Sequence, residues 1–159
     1  MGKVICICGK ICSGKSRYAS NLCRQGRGVL LSVDEVMLSV FGLYAGEKHD
    51  EYTEGVKKYL LQKAMELVNM DIDVLLDWGF WSRESRRQIR DFFESRKIEC
   101  EIHYLKVAED VWKKRIEKRN HDVKEGTAQA YIIDKNLVDK FMEMFQEPED
   151  KEIDKTIEY

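Results

Sequence analysis

Eight residues near the start of the chain, GKICSGKS at positions 9–16, constrain the fold more than any other part of the sequence. They fit the pattern G-x-x-x-x-G-K-[ST], in which a loop between a strand and a helix wraps around a phosphate group. The apolar run from Val4 to Cys8 predicts a buried strand before the loop, and Ser16 to Gln25 predicts a helix after it. The chain therefore opens with a strand-loop-helix unit of the kind that binds nucleotides.

Each residue type in this loop suits contact with phosphate. The glycines let the backbone turn tightly and bring N–H groups against phosphate oxygens, and the following helix directs its positive end at the same place. Lys15 offers a point charge to the β- and γ-phosphates, and Ser16 offers a hydroxyl ligand to Mg²⁺. The predicted nucleotide-binding residues are Gly9, Ser13, Gly14, Lys15, Ser16 and Arg17. The alternative is a glycine-rich turn that only connects the first strand to the first helix.

Strand-like and helix-like segments alternate along the rest of the chain, and no repeat or linker divides it. Further strands are predicted at Val29–Leu31, Asp73–Asp77, Glu101–Leu105 and Thr156–Tyr159. Helices are predicted at Asp34–Phe41, Thr53–Asn69, Arg83–Arg96, Glu109–Arg119 and Thr127–Phe145, with polar loops over Gly42–Tyr52 and Asn120–Gly126. This alternation predicts a single α/β domain over residues 1–159, with a parallel sheet covered by helices on both faces.

Composition narrows the class of protein. A formal net charge of -2 over 159 residues gives no overall electrostatic footprint for nucleic acid or an anionic membrane. The chain has five cysteines, an odd number, and they lack the spacing of a disulfide framework. We interpret them as buried apolar residues, and the alternative is a metal site at Cys6 and Cys8. No apolar run approaches the roughly 18–20 residues that span a bilayer, and no signal peptide is evident. We expect a cytoplasmic protein without a membrane partner.

Two aspartates follow predicted strands, where the carboxyl ends of parallel strands form ligand sites. Asp34 comes after the second strand and could accept a proton from an acceptor hydroxyl, or it could cap the helix that begins beside it. Asp77 ends the apolar stretch DVLLD and could hold Mg²⁺ with Ser16, or it could cap the following turn.

Two groups of arginines are candidates for binding anions. Arg83, Arg86, Arg87 and Arg90 are spaced at i, i+3, i+4 and i+7, so they share one helical face directly after Trp78 and its aromatic neighbours. This face could clamp an anionic acceptor, with Trp78 stacking on a ring, or it could be an ordinary solvated face. Arg115 and Arg119 could neutralise a transferring phosphoryl group, or they could be surface charge.

These features together resemble the small P-loop kinases, and most closely the group of polynucleotide 5′-kinase, chloramphenicol phosphotransferase and zeta toxin. The resemblance covers roughly residues 3–150 and is carried by GKICSGKS, by Asp34 after the second strand, by LLDWGFWSRESRR after the third, and by WKKRIEKRN. The chain departs from the group at Ile11 and Cys12, where Pro and Gly are frequent, and at Arg17, where Thr is frequent.

The resemblance implies a three-layer P-loop NTPase fold with a five-stranded parallel sheet and an adenylate-kinase-like lid over roughly residues 112–127. It further implies that Lys15 and Ser16 bind ATP and Mg²⁺, that Asp34 is the general base, and that Arg115 and Arg119 are lid arginines.

The leading hypothesis for function is an ATP-dependent phosphotransferase that acts on a hydroxyl of a small molecule. One alternative is a polynucleotide 5′-hydroxyl kinase, although the sequence has no extended basic stripe of the sort that binds a strand. Another is a nucleotide-binding switch or scaffold that transfers no phosphate.

Overall fold

Five parallel strands form the central sheet of the computed structural model, which describes residues 1–128 and 130–158. The strands are β1 (Val4–Gly9), β2 (Val29–Leu31), β3 (Val74–Gly79), β4 (Cys100–Lys106) and β5 (Lys155–Glu158). Their order across the sheet is β2-β3-β1-β4-β5. The predicted α/β fold with a five-stranded parallel sheet is confirmed, and Tyr159, which the sequence assigned to the last strand, lies outside the described residues.

The helices connect these strands and cover the sheet. They are α1 (Lys15–Arg24), α2 (Val33–Phe41), α3 (His49–Asn69), α4 (Arg83–Glu94), α5 (Glu109–Lys124) and α6 (Lys135–Met144), with short 3₁₀ turns at Gly46–Lys48 and Asp150–Glu152. Helix α3 begins at His49 rather than at Thr53, so the loop predicted before it is shorter. In the described part of the chain, no helix has both the length and the apolarity to cross a membrane.

Both faces of the sheet are apolar. Consecutive residues of the central strands are apolar, and alternate residues point to opposite faces. On β1, Val4, Cys6 and Cys8 belong to a core cluster that includes residues of α3 and α4. Ile5 and Ile7 point to the other face, where they pack with residues of α1. The strand cysteines are thus part of the buried core, and this arrangement gives the three layers of helix, sheet and helix.

The long helix predicted over Thr127–Phe145 is wrong. Helix α5 continues through the predicted loop to Lys124, Gly126 then adopts a positive φ of 75°, and α6 starts only at Lys135. The Asp134 side chain caps α6 by accepting from the Leu137 N–H at 2.8 Å. Hydrogen bonds between the Asn120 side chain and Ile133 also compete with helix formation in this segment. Gln129, which the predicted helix included, lies outside the described residues.

Asn120 fixes the segment between α5 and α6. Its side-chain amide donates to the Ile133 carbonyl and its side-chain oxygen accepts from the Ile133 N–H, both at 2.7 Å. These bonds occupy the backbone groups that Ile133 would need for a helix, and they hold its buried side chain against the α5–α6 core. Residues 130–134 therefore return to α5 as a non-helical strap.

The loops after β1, β2 and β3 meet at the carboxyl edge of the sheet. Near this edge Cys6 pairs with Leu76 but Cys8 pairs with Gly79, so β3 carries one more residue than β1 over the same length. Such a bulge bends a strand and redirects side chains. It lies at Asp77, one of the two aspartates that the sequence selected.

Candidate active site

The loop between β1 and α1 has the backbone of a phosphate-binding loop. Gly14 has φ 98° and Cys12 has φ 57°, and the Ser13 N–H donates to the Lys10 carbonyl at 3.1 Å to close the turn. A Cβ at Gly9 would lie 2.6 Å from the Ser13 hydroxyl, so only glycine fits there. Among the described residues no side chain caps α1, and its first N–H groups are therefore available to an anion.

Lys15 is held over this loop. Its Nζ donates to the Lys10 carbonyl at 2.7 Å and to the Gly9 carbonyl at 3.1 Å. Burial lowers the pKa of the Lys15 ammonium, and the nearby negative charge of Asp77 acts in the opposite direction. A phosphate group beside this amine would stabilise its charged form.

Ser16 and Asp77 form a pair of oxygen ligands. The Ser16 hydroxyl donates to Asp77 Oδ2 at 2.9 Å, and Asp77 is almost completely buried. Burial raises the pKa of the Asp77 carboxyl, while the charge of Lys15 and the Ser16 hydrogen bond lower it. A hydroxyl and a carboxylate are hard oxygen donors of the kind that Mg²⁺ prefers, and it would complete its shell with phosphate oxygens and water. The residues therefore fit a magnesium site.

Asp34 is not the cap of its helix. Ser32 holds that position, because its hydroxyl accepts from the Glu35 N–H at 3.3 Å. The Asp34 side chain is exposed and makes no hydrogen bond or ion pair with any described residue. Of the two roles that the sequence left open, the helix cap belongs to Ser32, and the Asp34 carboxylate is available to a ligand.

Helix α5 holds the phosphate-binding loop from one side. Trp112 Nε1 donates to a loop carbonyl at 2.6 Å and Arg115 Nη1 donates to the Ser13 carbonyl at 2.8 Å. Arg119 lies one turn further along, with Nη1 3.5 Å from Cys12 Sγ. These side chains share one helical face because they are spaced at i, i+3 and i+7. Arg119 lines the cavity beside the loop, whereas Arg115 contacts the loop backbone.

A cavity of about 1100 Å³ extends from the loop across the carboxyl edge of the sheet. Asp34 and Asp77 line it together with the loop, and so do Arg17 and Trp78. Another wall of the cavity is formed by α3 and α4, which contribute Thr53, Glu54, Lys57, Lys58, Leu61, Ser85, Gln88, Ile89 and Phe92. This wall combines apolar side chains with amide, hydroxyl and charged groups, which suits a small polar organic molecule.

The arginine face of α4 lies outside this cavity. Arg86 is 1% exposed, its Nη1 donates to the Phe80 carbonyl at 3.0 Å, and its Nε contacts Glu152 at 3.1 Å. Arg83 pairs with Glu149, and Arg87 pairs with carboxylates of its own helix. The clamp predicted from Arg83, Arg86 and Arg87 is therefore not part of the site, because other groups of the fold already bind these guanidinium groups.

Two contributors to this region were not selected from the sequence. Trp112 could have been found, since it shares a helical face with Arg115 and Arg119. Tyr131 gave no such signal, because the strap that carries it was predicted to be helical. Burial first, and then the charge of Asp34, raise the pKa of Tyr131.

Solved structures with the same fold include several kinases. A putative kinase from Chloroflexus aurantiacus J-10-fl superposes with a TM-score of 0.73 at 15% identity, covering 99% of this chain and 88% of that one. The adenylylsulfate (APS) kinase CysC of Mycobacterium tuberculosis gives 0.63 at 18% identity, covering 99% and 88%. A chain of the Pnkp1/Rnl/Hen1 RNA repair complex gives 0.73 at 19% identity, covering 90% of this chain but 43% of that one. At these identities the likeness establishes the fold.

Sequence comparison assigns the family. No curated protein matches the chain significantly. The model of the AAA domain family AAA_33 matches residues 4–148, which include the phosphate-binding loop, both aspartates and the arginines of α5. The chain therefore belongs to this AAA domain family and has the P-loop kinase fold.

Proposed function

We propose that this protein is an ATP-dependent phosphotransferase that moves the γ-phosphate of ATP-Mg to a hydroxyl of a small-molecule acceptor. The observation that carries the proposal is the Asp34 carboxylate. It is exposed, unpaired among the described residues, and lines the same cavity as Lys15, Ser16 and Asp77. A free carboxylate beside a phosphate-binding loop suits proton removal, which a nucleotide-binding switch does not require.

The chemistry follows from this placement. Asp34 accepts the proton of the acceptor hydroxyl while the acceptor oxygen attacks the γ-phosphorus in line. The bond between that phosphorus and the oxygen bridging to the β-phosphate breaks, and ADP leaves with the electron pair. Lys15 and Arg119 offer positive charge to the transferring group, and Arg115 keeps the loop backbone in position.

Ser16 and Asp77 would hold Mg²⁺, with the Asp77 carboxylate kept in reach by the bulge of β3. The ion, when bound, neutralises charge on the phosphate oxygens. Removal of Mg²⁺ is therefore expected to reduce both the binding of ATP and the transfer.

The wall formed by α3 and α4 supports a small acceptor. Leu61, Ile89 and Phe92 give it apolar surface, and Ser85 and Gln88 give it polar groups. Lys57, Lys58 and Glu54 add charges of both signs, so the wall is not the uniformly basic groove that a phosphodiester strand requires. A ring or aliphatic skeleton with several polar substituents matches it better.

The first test is thermal unfolding of wild type and Lys15→Ala with ATP-Mg, GTP-Mg or no nucleotide. A nucleotide at about 100 times its Kd stabilises the folded state by roughly 2.7 kcal/mol. We expect wild type to show this shift and Lys15→Ala to lose it. The absence of any shift with either nucleotide would contradict the proposal.

The second test separates the possible acceptors. Transfer of labelled γ-phosphate is measured to a panel of small alcohols and to an oligonucleotide with a free 5′-hydroxyl. Transfer to the oligonucleotide alone would replace the small acceptor by a nucleic-acid end. Tight ATP binding without transfer to any member of a broad panel would instead indicate a switch.

Asp34→Asn tests the base. Removal of a general base lowers kcat by about 10²–10⁴-fold, while ATP affinity should stay within about threefold because the loop is unchanged. Glu35→Gln is the matched control, since Glu35 is the neighbouring carboxylate and does not line the cavity. Full transfer activity in Asp34→Asn would exclude Asp34 as the base.

A further inference from the structure

The wall that α3 and α4 give to the cavity takes its charged groups from α3. The residues of α4 that line the cavity are uncharged, and the arginines of that helix pair with carboxylates outside it. On α3, Glu54, Lys57 and Lys58 line the cavity together with Thr53 and Leu61. Their spacing at i, i+1, i+4, i+5 and i+8 places them on one helical face. A charged group of a ligand that binds along this wall therefore meets α3.

Two of these three charges offset each other, and the third has no partner. Glu54 Oε1 and Lys57 Nζ form an ion pair at 2.7 Å. Lys58 lies one turn after Glu54, a spacing that favours an ion pair, but the Glu54 carboxylate is already paired with Lys57. Lys58 is exposed and makes no hydrogen bond or ion pair with any described residue. The remaining lysine of α3, Lys63, is paired with Glu66 at 2.7 Å and does not line the cavity.

The α3 face that carries Lys58 is close to the candidate base. Val33, which precedes Asp34 in α2, packs in one core cluster with Leu60 and Val56 of α3. Lys58 lies between these two residues in the sequence, and both Asp34 and Lys58 line the cavity. The two side chains thus belong to helices that pack together and open onto the same space. One small molecule can therefore meet a carboxylate through a hydroxyl group and an ammonium through an anionic group.

Two hydroxyl groups of the same wall favour further hydroxyl groups on the acceptor. Thr53 Oγ1 donates to the His49 carbonyl at 2.8 Å, and Ser85 Oγ donates to the Ser82 carbonyl at 2.8 Å. A hydroxyl group has a single hydrogen, so what these two oxygens keep for a ligand is lone pairs. Lone pairs accept from a ligand hydroxyl and have nothing to donate to an anion. An anionic group is therefore better matched by Lys58 than by these hydroxyls.

We propose that the phosphate acceptor is a small polyhydroxylated anion, and that Lys58 binds its carboxylate or phosphate group while one of its hydroxyl groups meets Asp34. This rests on the proposed function, because the anion is bound as the acceptor of phosphoryl transfer. The nucleotide phosphates have Lys15, Arg119 and the uncapped start of α1, so they do not require Lys58. Its positive charge also offsets the repulsion between Asp34 and an anionic acceptor.

Acceptors in matched sets test this with the wild-type chain. Each set contains a polyol of three to six carbons, the aldonic acid of the same length and the sugar phosphate of the same length. Transfer of labelled γ-phosphate from ATP-Mg is measured for each member. We expect kcat/KM to be about tenfold higher for the acid or the phosphate than for the polyol, and this preference should weaken at high salt. The acid and phosphate members together show which anionic group is preferred.

Lys58→Gln supplies the matching variant, because it removes the charge and keeps a polar side chain at an exposed position. We expect KM for the preferred anion to rise about tenfold, with kcat within about twofold of wild type. The KM of the neutral polyol and the affinity for ATP should also stay within about twofold. Lys63→Gln is the control on the same helix, and it should keep all wild-type values because Lys63 does not line the cavity.

The outcomes separate this inference from the proposed function. If phosphate is transferred to the neutral polyols as well as to the anions, or if Lys58→Gln changes all acceptors equally or none, the inference is overturned while the proposed function stands. Transfer to an oligonucleotide 5′-hydroxyl alone would overturn the small acceptor and this inference with it. If ATP binds but no member of any set is phosphorylated, both the inference and the phosphotransferase are overturned.

Discussion

Cys12 has a backbone conformation that is unfavourable for a residue with a side chain. Its φ of 57° lies in the left-handed region, where a Cβ approaches the following carbonyl oxygen and glycine is favoured. The side chain compensates in part, because Sγ lies 3.5 Å from Arg119 Nη1 and packs against the core cluster of α5 and α6. Cys12 thus links the loop to a helix at the cost of local strain.

Comparison of Cys12→Gly with Cys12→Ala isolates that strain. Both variants lose the sulfur contact, and only glycine relaxes the backbone. We expect Cys12→Gly to be more stable than Cys12→Ala by about 1 kcal/mol, measured as the free energy of unfolding in urea. Equal stability of the two, or a more stable alanine variant, would show that the loop stores no strain at this position.

Asp34 and Ser32 illustrate the limit of a single-residue interpretation. Both residue types favour helix starts, so the sequence left the cap unassigned. The structure assigns it to Ser32 through one hydrogen bond to Glu35 N–H, which leaves Asp34 in the first turn with an unpaired carboxylate among the described residues. One hydrogen bond of 3.3 Å thus identifies Ser32 as the helix cap and leaves Asp34 as the candidate base.

At the scale of elements, the arginine face of α4 is an anchor for the end of the chain. Arg83, Arg86 and Arg90 meet the carboxylates Glu149, Glu152 and Asp154, which lie on the segment that leads into β5. The helical spacing of these arginines was therefore interpreted correctly, but their partner is this segment and not an acceptor. Burial decides the difference at Arg86, because a buried guanidinium must be paired inside the fold.

Arg86→Met and Arg87→Met test this anchor. Arg86→Met keeps the aliphatic stem but removes the buried guanidinium that donates to the Glu152 carboxylate and to two backbone carbonyls, so we expect a loss of about 3–5 kcal/mol in the free energy of unfolding. Arg87 is 61% exposed, and its ion pairs with described residues all lie within its own helix, so Arg87→Met should keep the wild-type urea midpoint. Similar losses in both variants would contradict the anchor.

At the scale of the whole molecule, the two ends of the sheet have separate roles. The carboxyl edge holds the cavity, whereas Lys3, just before β1, meets Glu101 near the start of β4 at 2.6 Å. Glu101 Oε2 also bonds His103 Nε2 at 2.8 Å, and His103 Nδ1 bonds the Tyr18 hydroxyl at 2.9 Å. This network joins β1, β4 and α1 away from the site.

The network predicts how stability depends on pH. Partial burial alone would raise the pKa of Glu101, but hydrogen bonds from Lys3 and His103 outweigh it and lower that pKa to about 2. A carboxyl group whose pKa is lower in the folded than in the unfolded state adds its full contribution to the free energy of unfolding at pH values above its unfolded pKa, near 4.5. This contribution is lost as the pH falls toward 2. Burial lowers the pKa of His103, which also favours the folded state at neutral rather than acidic pH.

Glu101→Gln should therefore lower the free energy of unfolding by about 1–2 kcal/mol at pH 7 and flatten its decline between pH 4.5 and pH 2. Urea unfolding at pH 7, 4.5 and 3 measures both effects. Glu99→Gln is the matched control, because Glu99 is an exposed carboxylate beside the same strand without an ion pair among the described residues. An unchanged pH profile in Glu101→Gln would exclude this network as the cause of acid sensitivity.

The sequence by itself determined the features that depend on local pattern. The apolar run of β1, the glycines of the loop and the spacing of α5 each act within a few residues, so the strand-loop-helix unit and the helical faces were predictable. The α/β class followed, because strands that alternate with helices form a parallel sheet.

Only the tertiary structure decided what depends on distant partners. Asn120 draws Ile133 out of a helix, and Glu152 takes Arg86 out of the candidate acceptor site. In each case the residue type permits two environments, and the choice depends on a hydrogen-bond partner more than ten residues away. Local propensity carries no information about such a partner, and the fold supplies it.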